Sequence, residues 1–173
     1  MVLGGVWGEY DIHSNSIKVH GNSTVMIYKT IHFGSQNSYK MSNIKSLQRL
    51  LVVQALYQLS INKDAKSSSI HDIFKQIIEN SEYKHSISKS NLNFADKIFY
   101  GVQDNLNRID NDLNHALSNR NKVDPLLLAI FHPAIYELKY GDKISKKVVI
   151  SEYLLIADKF FSGKEIGLLN GVL

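Results

Sequence analysis

Histidines and aspartates are the side chains of this sequence that could bind a metal or transfer a proton. The chain has seven histidines. Three of them, His13, His20 and His32, lie near the N-terminus without the spacing that metal ligands need on one helix. Asp110 and Asp112 are two residues apart, so they do not share a helix face as an acid–base pair would. The sequence therefore predicts no catalytic centre, no metal site and no cofactor.

Sequence motifs of known catalytic chemistry are missing as well. The chain contains no HExxH, GxSxG, P-loop or GxGxxG pattern. Cysteine is absent, which excludes disulfides and thiolate metal sites. We interpret the chain as a protein that is not an enzyme.

The composition favours a basic, globular protein. The chain has 173 residues, of which 44% are hydrophobic, enough for one domain with a core. Its formal net charge of +4 favours polyanions such as nucleic acid. No apolar run approaches the roughly 20 residues that span a bilayer, and residues 1–10 lack the basic start of a secretory signal. We therefore expect no membrane segment and a cytoplasmic location.

The chain changes character near residue 41. The segment before it is rich in glycine, asparagine and serine, and Val25 to Phe33 is β-branched and aromatic, as a strand would be. From Met41 onward the pattern is helical. We interpret residues 1–40 as an N-terminal extension, strand-like or poorly ordered, and residues 41–173 as one all-α domain.

Apolar residues at intervals of three and four predict a series of helices after residue 41. Their predicted starts are, in chain order, Ser42 or Asn43, Ser69, Asn91, Asp124, Ser145 and Lys164. Ser69 with Asp72 resembles a capping box. Asp124 before Pro125 is a strong start, because proline at the first helical position loses no hydrogen bond. We expect a polar loop over residues 81–90 and a break of the long third helix near Asp110 to Asp112.

Three segments of the helical region resemble the NusB family of transcription antitermination factors. VVQALYQL at residues 52–59 is similar to the family's helix-1 pattern ending in QALY, and AIYEL at residues 134–138 is similar to ALYEL. Residues 147–173, KVVISEYLLIADKFFSGKEIGLLNGVL, are similar to KVAINEAIELAKKFG, a short acidic loop and KFVNGVLDK. Gly101 and Val102 match a GV pair of the third family helix. Because these segments keep the family's order and spacing, residues 41–173 are identified as a member of the family.

The resemblance implies an all-α fold of two small helical bundles. It also implies binding to the single-stranded boxA element of nascent RNA together with NusE, a small-subunit ribosomal protein. Such a complex modifies RNA polymerase so that it reads through terminators, notably in ribosomal RNA operons. Unpaired RNA offers its phosphates to cations and its base faces to aromatic rings.

Four residues are candidates for RNA contacts by this resemblance. Lys45 and Arg49 match basic positions at the start of the family's helix 1, and their spacing of four places them on one helix face. Tyr57 falls two turns beyond Arg49, and Phe94 matches a family aromatic that could stack on a base. We expect both cations and Tyr57 to face outward as a track for RNA. Without the resemblance, the cations would fit an ordinary solvated face and the aromatics a core.

The chain departs from the family pattern at several positions. Ser46 and Leu47 replace basic residues, and His132 stands where arginine is frequent. Lys164 replaces an acidic residue, and Leu168 replaces phenylalanine. Fewer cations weaken RNA binding and flatten its salt dependence. We therefore expect the protein to depend more on its partner.

Two other functions and two assignments stay open. The region also resembles the N-terminal domain of ribosomal RNA cytosine methyltransferases, although this chain lacks their cysteines and ends where their catalytic domain would begin. A structural homodimer, in which a second copy covers the basic helix, is the other alternative. Residues 1–40 fit either an over-long gene start or a lineage-specific extension. Glu137 in AIYEL fits either a surface carboxylate or the partner of a nearby cation.

Overall fold

The computed structural model of the protein describes residues 9–11, 16–18, 43–62, 69–87, 91–117 and 122–173. The helices of these residues are α1 (Ile44–Ile61), α2 (Ile70–Glu79), α3 (Lys84–Ile87), α4 (Asn93–Asp104), α5 (Leu106–Ala116), α6 (Pro125–Lys139), α7 (Lys146–Ala157) and α8 (Lys164–Val172). From Asn43 onward every regular element described is helical, which confirms the all-α prediction. No helix in the described part of the chain is long and apolar enough to cross a membrane.

Two short strands pair with each other near the N-terminus. β1 (Glu9–Asp11) and β2 (Ser16–Lys18) pair in antiparallel register. The strand predicted over Val25 to Phe33 lies outside the described residues. The interpretation of residues 1–40 as an extension therefore stays a prediction.

The predicted capping residues begin three of the helices. The Asn43 side chain accepts a hydrogen bond from an amide in the first turn of α1, and Asp124 does the same for α6 just before Pro125. Ser69 accepts from the Asp72 amide at 3.2 Å and donates its hydroxyl to the Asp72 carboxylate at 2.8 Å. These short polar side chains satisfy amides that a helix start leaves unpaired.

Two interruptions differ from the prediction. The polar loop expected over residues 81–90 contains the single-turn helix α3, because Ile87 is fully buried in the core. The long helix breaks at Asn105, more than one turn before the break predicted near Asp110 to Asp112. The Asn105 side chain donates to the Gly101 carbonyl at 2.9 Å, a local bond of the kind that competes with regular helix.

α1 is the central helix of the fold. With α2 and α3 it forms the first bundle, and its other side packs against α4, α6 and α7 of the second. Buried hydrophobic side chains of both bundles join in one continuous core. Gly101 permits the close approach of α4 to α6, since a Cβ there would lie 2.0 Å from the Tyr136 ring. The residues predicted to bind RNA are therefore carried by the helix on which both bundles meet.

Candidate nucleic-acid interface

The two cations of α1 lie in different environments. Lys45 is exposed in the first turn, as expected. Arg49 is only 3% exposed, so the prediction that it faces outward is wrong. The physical reason is that α1 packs this face against α6 and α7, where two glutamates lie within reach of the guanidinium.

Glu137 of α6 binds the Arg49 guanidinium through both carboxylate oxygens. Nε donates to Oε1 and Nη2 donates to Oε2, each at 2.8 Å, and both residues are buried. This bidentate geometry suits the planar fork of arginine and adds direction to the ionic attraction. Of the two alternatives for Glu137, the structure therefore supports the partner of a cation.

Three further side chains, those of Glu152, Tyr153 and Ser46, are bonded to this pair or to each other. We call these three residues together with Arg49 and Glu137 the buried ionic cluster. Glu152 accepts from Arg49 Nη1 at 3.3 Å and from the Ser46 hydroxyl at 2.5 Å. Tyr153 donates its hydroxyl to Glu137 Oε1 at 2.7 Å. Because these residues come from α1, α6 and α7, the cluster ties three helices together.

Burial and neighbouring charge set the protonation states in the cluster. Burial lowers the pKa of Arg49, but the hydrogen bond and charge of Glu137, with Tyr153 and Glu152 adding to them, raise this pKa above its ordinary value overall. Complete burial, then the charge of Glu137 and its hydrogen bond, raise the pKa of Tyr153 well above its ordinary value. At neutral pH, Arg49 is therefore a cation and Tyr153 is a neutral hydroxyl donor.

The Phe94 ring lies beside both cations of α1. Lys45 Nζ lies 5.4 Å from the ring centroid and Arg49 Cζ lies 5.0 Å from it, within the range of a cation–π interaction. Phe94 is half-buried, and Lys45 is exposed. We call Lys45 and Phe94 the cation–aromatic edge, because together they present a positive charge and part of an aromatic ring to solvent.

Gln48, which the sequence analysis missed, positions Phe94. Its Nε2 donates to the Asn91 carbonyl at 2.9 Å, and its Oε1 accepts from the Ala95 amide at 2.9 Å. The side chain thereby caps the first turn of α4, whose own N-cap residue makes no side-chain hydrogen bond. The only sequence signal for this role is a glutamine within an otherwise apolar stretch of α1. That signal does not show which helix the glutamine side chain caps.

Tyr57 does not join this edge. It lies eight residues after Arg49, hence roughly 12 Å further along α1, and it is half-buried. Burial, and then the charge of Asp124 at the start of α6, raise the pKa of Tyr57. The structure therefore brings Lys45, Arg49 and Phe94 together and leaves Tyr57 toward the opposite end of α1.

Three positions that depart from the family's basic pattern make internal contacts. Ser46 belongs to the buried ionic cluster and Leu47 to the hydrophobic core. His132 contacts the Asp110 carboxylate at 2.9 Å and the Leu128 carbonyl at 2.6 Å, so it joins α5 to α6. None of these three positions extends the cation–aromatic edge.

Comparisons with known proteins identify relatives of the chain. A profile described as the NusB family matches residues 46–173. A protein of Rickettsia akari named transcription antitermination protein NusB is 33% identical over 146 residues, which cover 76% of this chain and 89% of that protein. A protein of the same name in Sphingopyxis alaskensis is 31% identical over 141 residues, covering 78% and 92%. The solved structure of T. maritima NusB covers 76% of this chain and 89% of its own, with a TM-score of 0.60 at 24% identity, and so shares the fold.

Proposed function

The chain belongs to the NusB family, and from this membership we propose that it is an RNA-binding transcription antitermination factor. In this proposal it acts in the cytoplasm on boxA-type single-stranded RNA together with NusE, within an antitermination complex on RNA polymerase in ribosomal RNA operons. The relatives are named as antitermination proteins, which supports a function without catalysis.

The observation that carries this proposal is the exposed Lys45 ammonium beside the half-buried Phe94 ring. Proteins bind single strands by combining cations for the phosphates with aromatic rings for the bases. Lys45 and Phe94 are close enough for adjacent groups of one nucleotide to contact both. We assign the phosphate contact to Lys45 and the stacking contact to Phe94.

In the same proposal Arg49 supports the edge without touching RNA. Its charge is already compensated by Glu137 and Glu152, and breaking such a buried pair to reach a phosphate would be costly. Its guanidinium instead lies against the Phe94 ring and so helps to hold that ring in place. Tyr57 remains a candidate for a separate contact with a longer RNA, toward the other end of α1.

The exposed cation of Lys45 and the ring of Phe94 make an interface with few contacts. Few phosphate contacts mean a low affinity and a shallow dependence on salt. We therefore propose that NusE supplies additional contacts, so that the two proteins together bind boxA-type RNA more tightly than this chain does alone.

A fluorescence polarisation titration with boxA-type RNA, with and without NusE, tests the proposal. Phe94→Ala should lower the affinity by about tenfold, since a stacked base contributes roughly 1–3 kcal/mol. Lys45→Glu should also weaken binding. Lys75→Glu is the matched control, because it makes the same charge change at an exposed position on α2 and should leave the affinity close to that of the wild type.

Absence of salt-sensitive RNA binding both with and without NusE would show that the proposal is wrong. Light scattering at several protein concentrations tests the alternative of a structural homodimer. A dimer that dissociates when RNA is added would mean that a second copy covers the cation–aromatic edge, whereas a strict monomer removes this alternative.

A further inference from the structure

A row of side chains on α4 continues the cation–aromatic edge. Phe94, Lys97 and Tyr100 follow one another at intervals of three residues, and side chains at this spacing form a ridge on the surface of a helix. Neighbours in such a ridge have their Cβ atoms roughly 5–6 Å apart. We call these three residues the α4 row. The row begins at the ring that Lys45 and Arg49 contact, and it carries an aromatic, a cationic and an aromatic side chain in turn.

Tyr100 is an exposed ring that lies against the core. It is 48% exposed, and its ring centroid lies 5.5 Å from that of Phe99 at an interplanar angle of 80°. Phe99 is buried, and its ring makes a second T-shaped pair with Phe74 at 6.1 Å. T-shaped pairs are favourable arrangements of aromatic rings, so these contacts orient the Tyr100 ring before a ligand arrives. An exposed ring that is already oriented is suited to stacking on an unpaired base.

Lys97 is a cation whose partner can be exchanged. Its Nζ donates to Oδ1 of Asp142, in the loop after α6, at 2.5 Å. The Lys97 and Asp142 side chains are 48% and 61% exposed, and an ion pair so exposed contributes little to stability. A phosphate can therefore replace the Asp142 carboxylate at low cost. The buried pair of Arg49 and Glu137 does not permit such an exchange, because breaking it leaves a buried charge unpaired.

The other charges of α4 define where the row ends. Lys97 is the one cation of this helix, all of whose residues are described. Asp96 contacts His71 of α2, away from the row. Asp104 is exposed one turn after Tyr100 and would repel a phosphate. The alternation of rings and a cation that single-stranded RNA requires therefore extends from Phe94 to Tyr100 and stops there.

We propose that the α4 row binds a second nucleotide of the RNA strand whose first nucleotide lies on the cation–aromatic edge. Tyr100 stacks on the second base, and Lys97 leaves Asp142 to contact the phosphate between the two nucleotides. From Phe94 to Tyr100 α4 rises by roughly 9 Å, a distance that two splayed bases of an unpaired strand can span. The inference rests on the proposed function, because it extends the same interface.

Titrations with boxA-type RNA test the role of the second ring. Tyr100→Ala should lower the affinity by about tenfold, as expected for the loss of one stacked base, whereas Tyr100→Phe keeps the ring and should retain the wild-type affinity. Leu155→Ala is the matched control, because it truncates an apolar side chain that is 41% exposed on α7. Amide chemical shifts of the labelled protein should change along α4 as far as Tyr100 when RNA is added. Circular dichroism checks that each variant keeps its helical fold.

The exchange at Lys97 is tested by a double-mutant cycle with Asp142. Lys97→Ala should reduce the slope of log affinity against log salt by about 0.7. Asp142→Asn should raise the affinity by about two- to fivefold, since it frees the lysine and removes a carboxylate that repels phosphate. In the Lys97→Ala background the same substitution should raise the affinity by less. Asp158→Asn makes the same charge change at an exposed position on the C-cap of α7 and should leave the affinity unchanged.

The outcomes separate this inference from the function on which it rests. Wild-type affinity of Tyr100→Ala, while Phe94→Ala weakens binding, would overturn the second site alone, and so would an equal gain from Asp142→Asn with and without Lys97. If Tyr100→Ala instead weakens binding to NusE in the absence of RNA, or abolishes a dimer seen by light scattering, the ring belongs to a protein interface and the inference is wrong. No RNA binding by the wild type, with or without NusE, would overturn the proposed function and this inference together.

Discussion

Lys45 and Arg49 stand four residues apart on α1 and carry the same charge, yet they lie in different regions of the molecule. Lys45 belongs to the cation–aromatic edge and is exposed. Arg49 belongs to the buried ionic cluster, where Glu137 and Glu152 compensate its charge. A hydrated cation can exchange water for a phosphate, whereas a buried one has already exchanged it for carboxylates. The role of a cation on a helix is thus set by the helices packed around it.

The two regions meet at the Phe94 ring, which lies against both cations. The cluster is held by buried ionic hydrogen bonds, whereas Lys45 is exposed, so a change in the cluster should lower stability much more than a change at Lys45. This asymmetry makes the comparison testable.

The largest effect is expected from Glu137→Ala. The substitution leaves Arg49 buried with only the longer contact to Glu152, and breaking a buried pair costs about 3–5 kcal/mol of the free energy of unfolding. Urea denaturation followed by circular dichroism measures this loss. Lys45→Ala is the matched control, because a surface substitution changes stability by less than about 0.5 kcal/mol.

Replacing both Arg49 and Glu137 with apolar residues distinguishes the cost of an unpaired buried charge from the cost of lost packing. The triple variant Arg49→Met, Glu137→Leu and Tyr153→Phe should recover most of the stability, since apolar residues of similar volume often replace a buried ion pair without loss and the Tyr153 hydroxyl is removed together with its acceptor. Equal destabilisation by Glu137→Ala and Lys45→Ala would contradict the distinction between the two regions.

A smaller effect is expected from Tyr153→Phe. At neutral pH the lost hydrogen bond to Glu137 should cost about 1 kcal/mol. Because the pKa of Tyr153 is raised in the folded state, its contribution is fully present below the unfolded-state pKa of about 10 and is lost as the pH rises above it. Urea denaturation across this range should show a flatter decline for Tyr153→Phe. A parallel decline in both proteins would mean that Tyr153 ionises as easily in the fold as in the unfolded chain.

The smallest effect is expected from Lys45→Ala on RNA binding. Removing one phosphate contact should reduce the slope of log affinity against log salt by about 0.7, the value for a single strand. RNA titrations at several salt concentrations measure the slope, with Lys75→Ala as the control at an exposed position on α2. An unchanged slope for Lys45→Ala would mean that this lysine does not contact a phosphate.

Local sequence signals predicted much of the fold. Asn43, Ser69 and Asp124 begin the helices that they were expected to begin, because a short polar side chain caps a helix through bonds to its own first turn. The signals failed where distant contacts decided the outcome. Residues 84–87 are helical because Ile87 enters the core, and polar residues around it predicted a loop.

The candidate site was only partly predictable. The resemblance located Lys45 and Phe94, which the structure places side by side. It also selected Tyr57, which lies well away along α1. Nothing in the spacing of Arg49 distinguished it from Lys45, and Gln48 gave no sign of its role in capping α4.

The sequence by itself determined the family, the helical periodicity and most helix starts, since these depend on residues a few positions apart. Only the tertiary structure decided which cation of α1 is buried and which is exposed. That choice depends on Glu137 and Glu152, which are about ninety and a hundred residues further along the chain. Folding brings their carboxylates to one face of α1, where desolvation requires a paired charge.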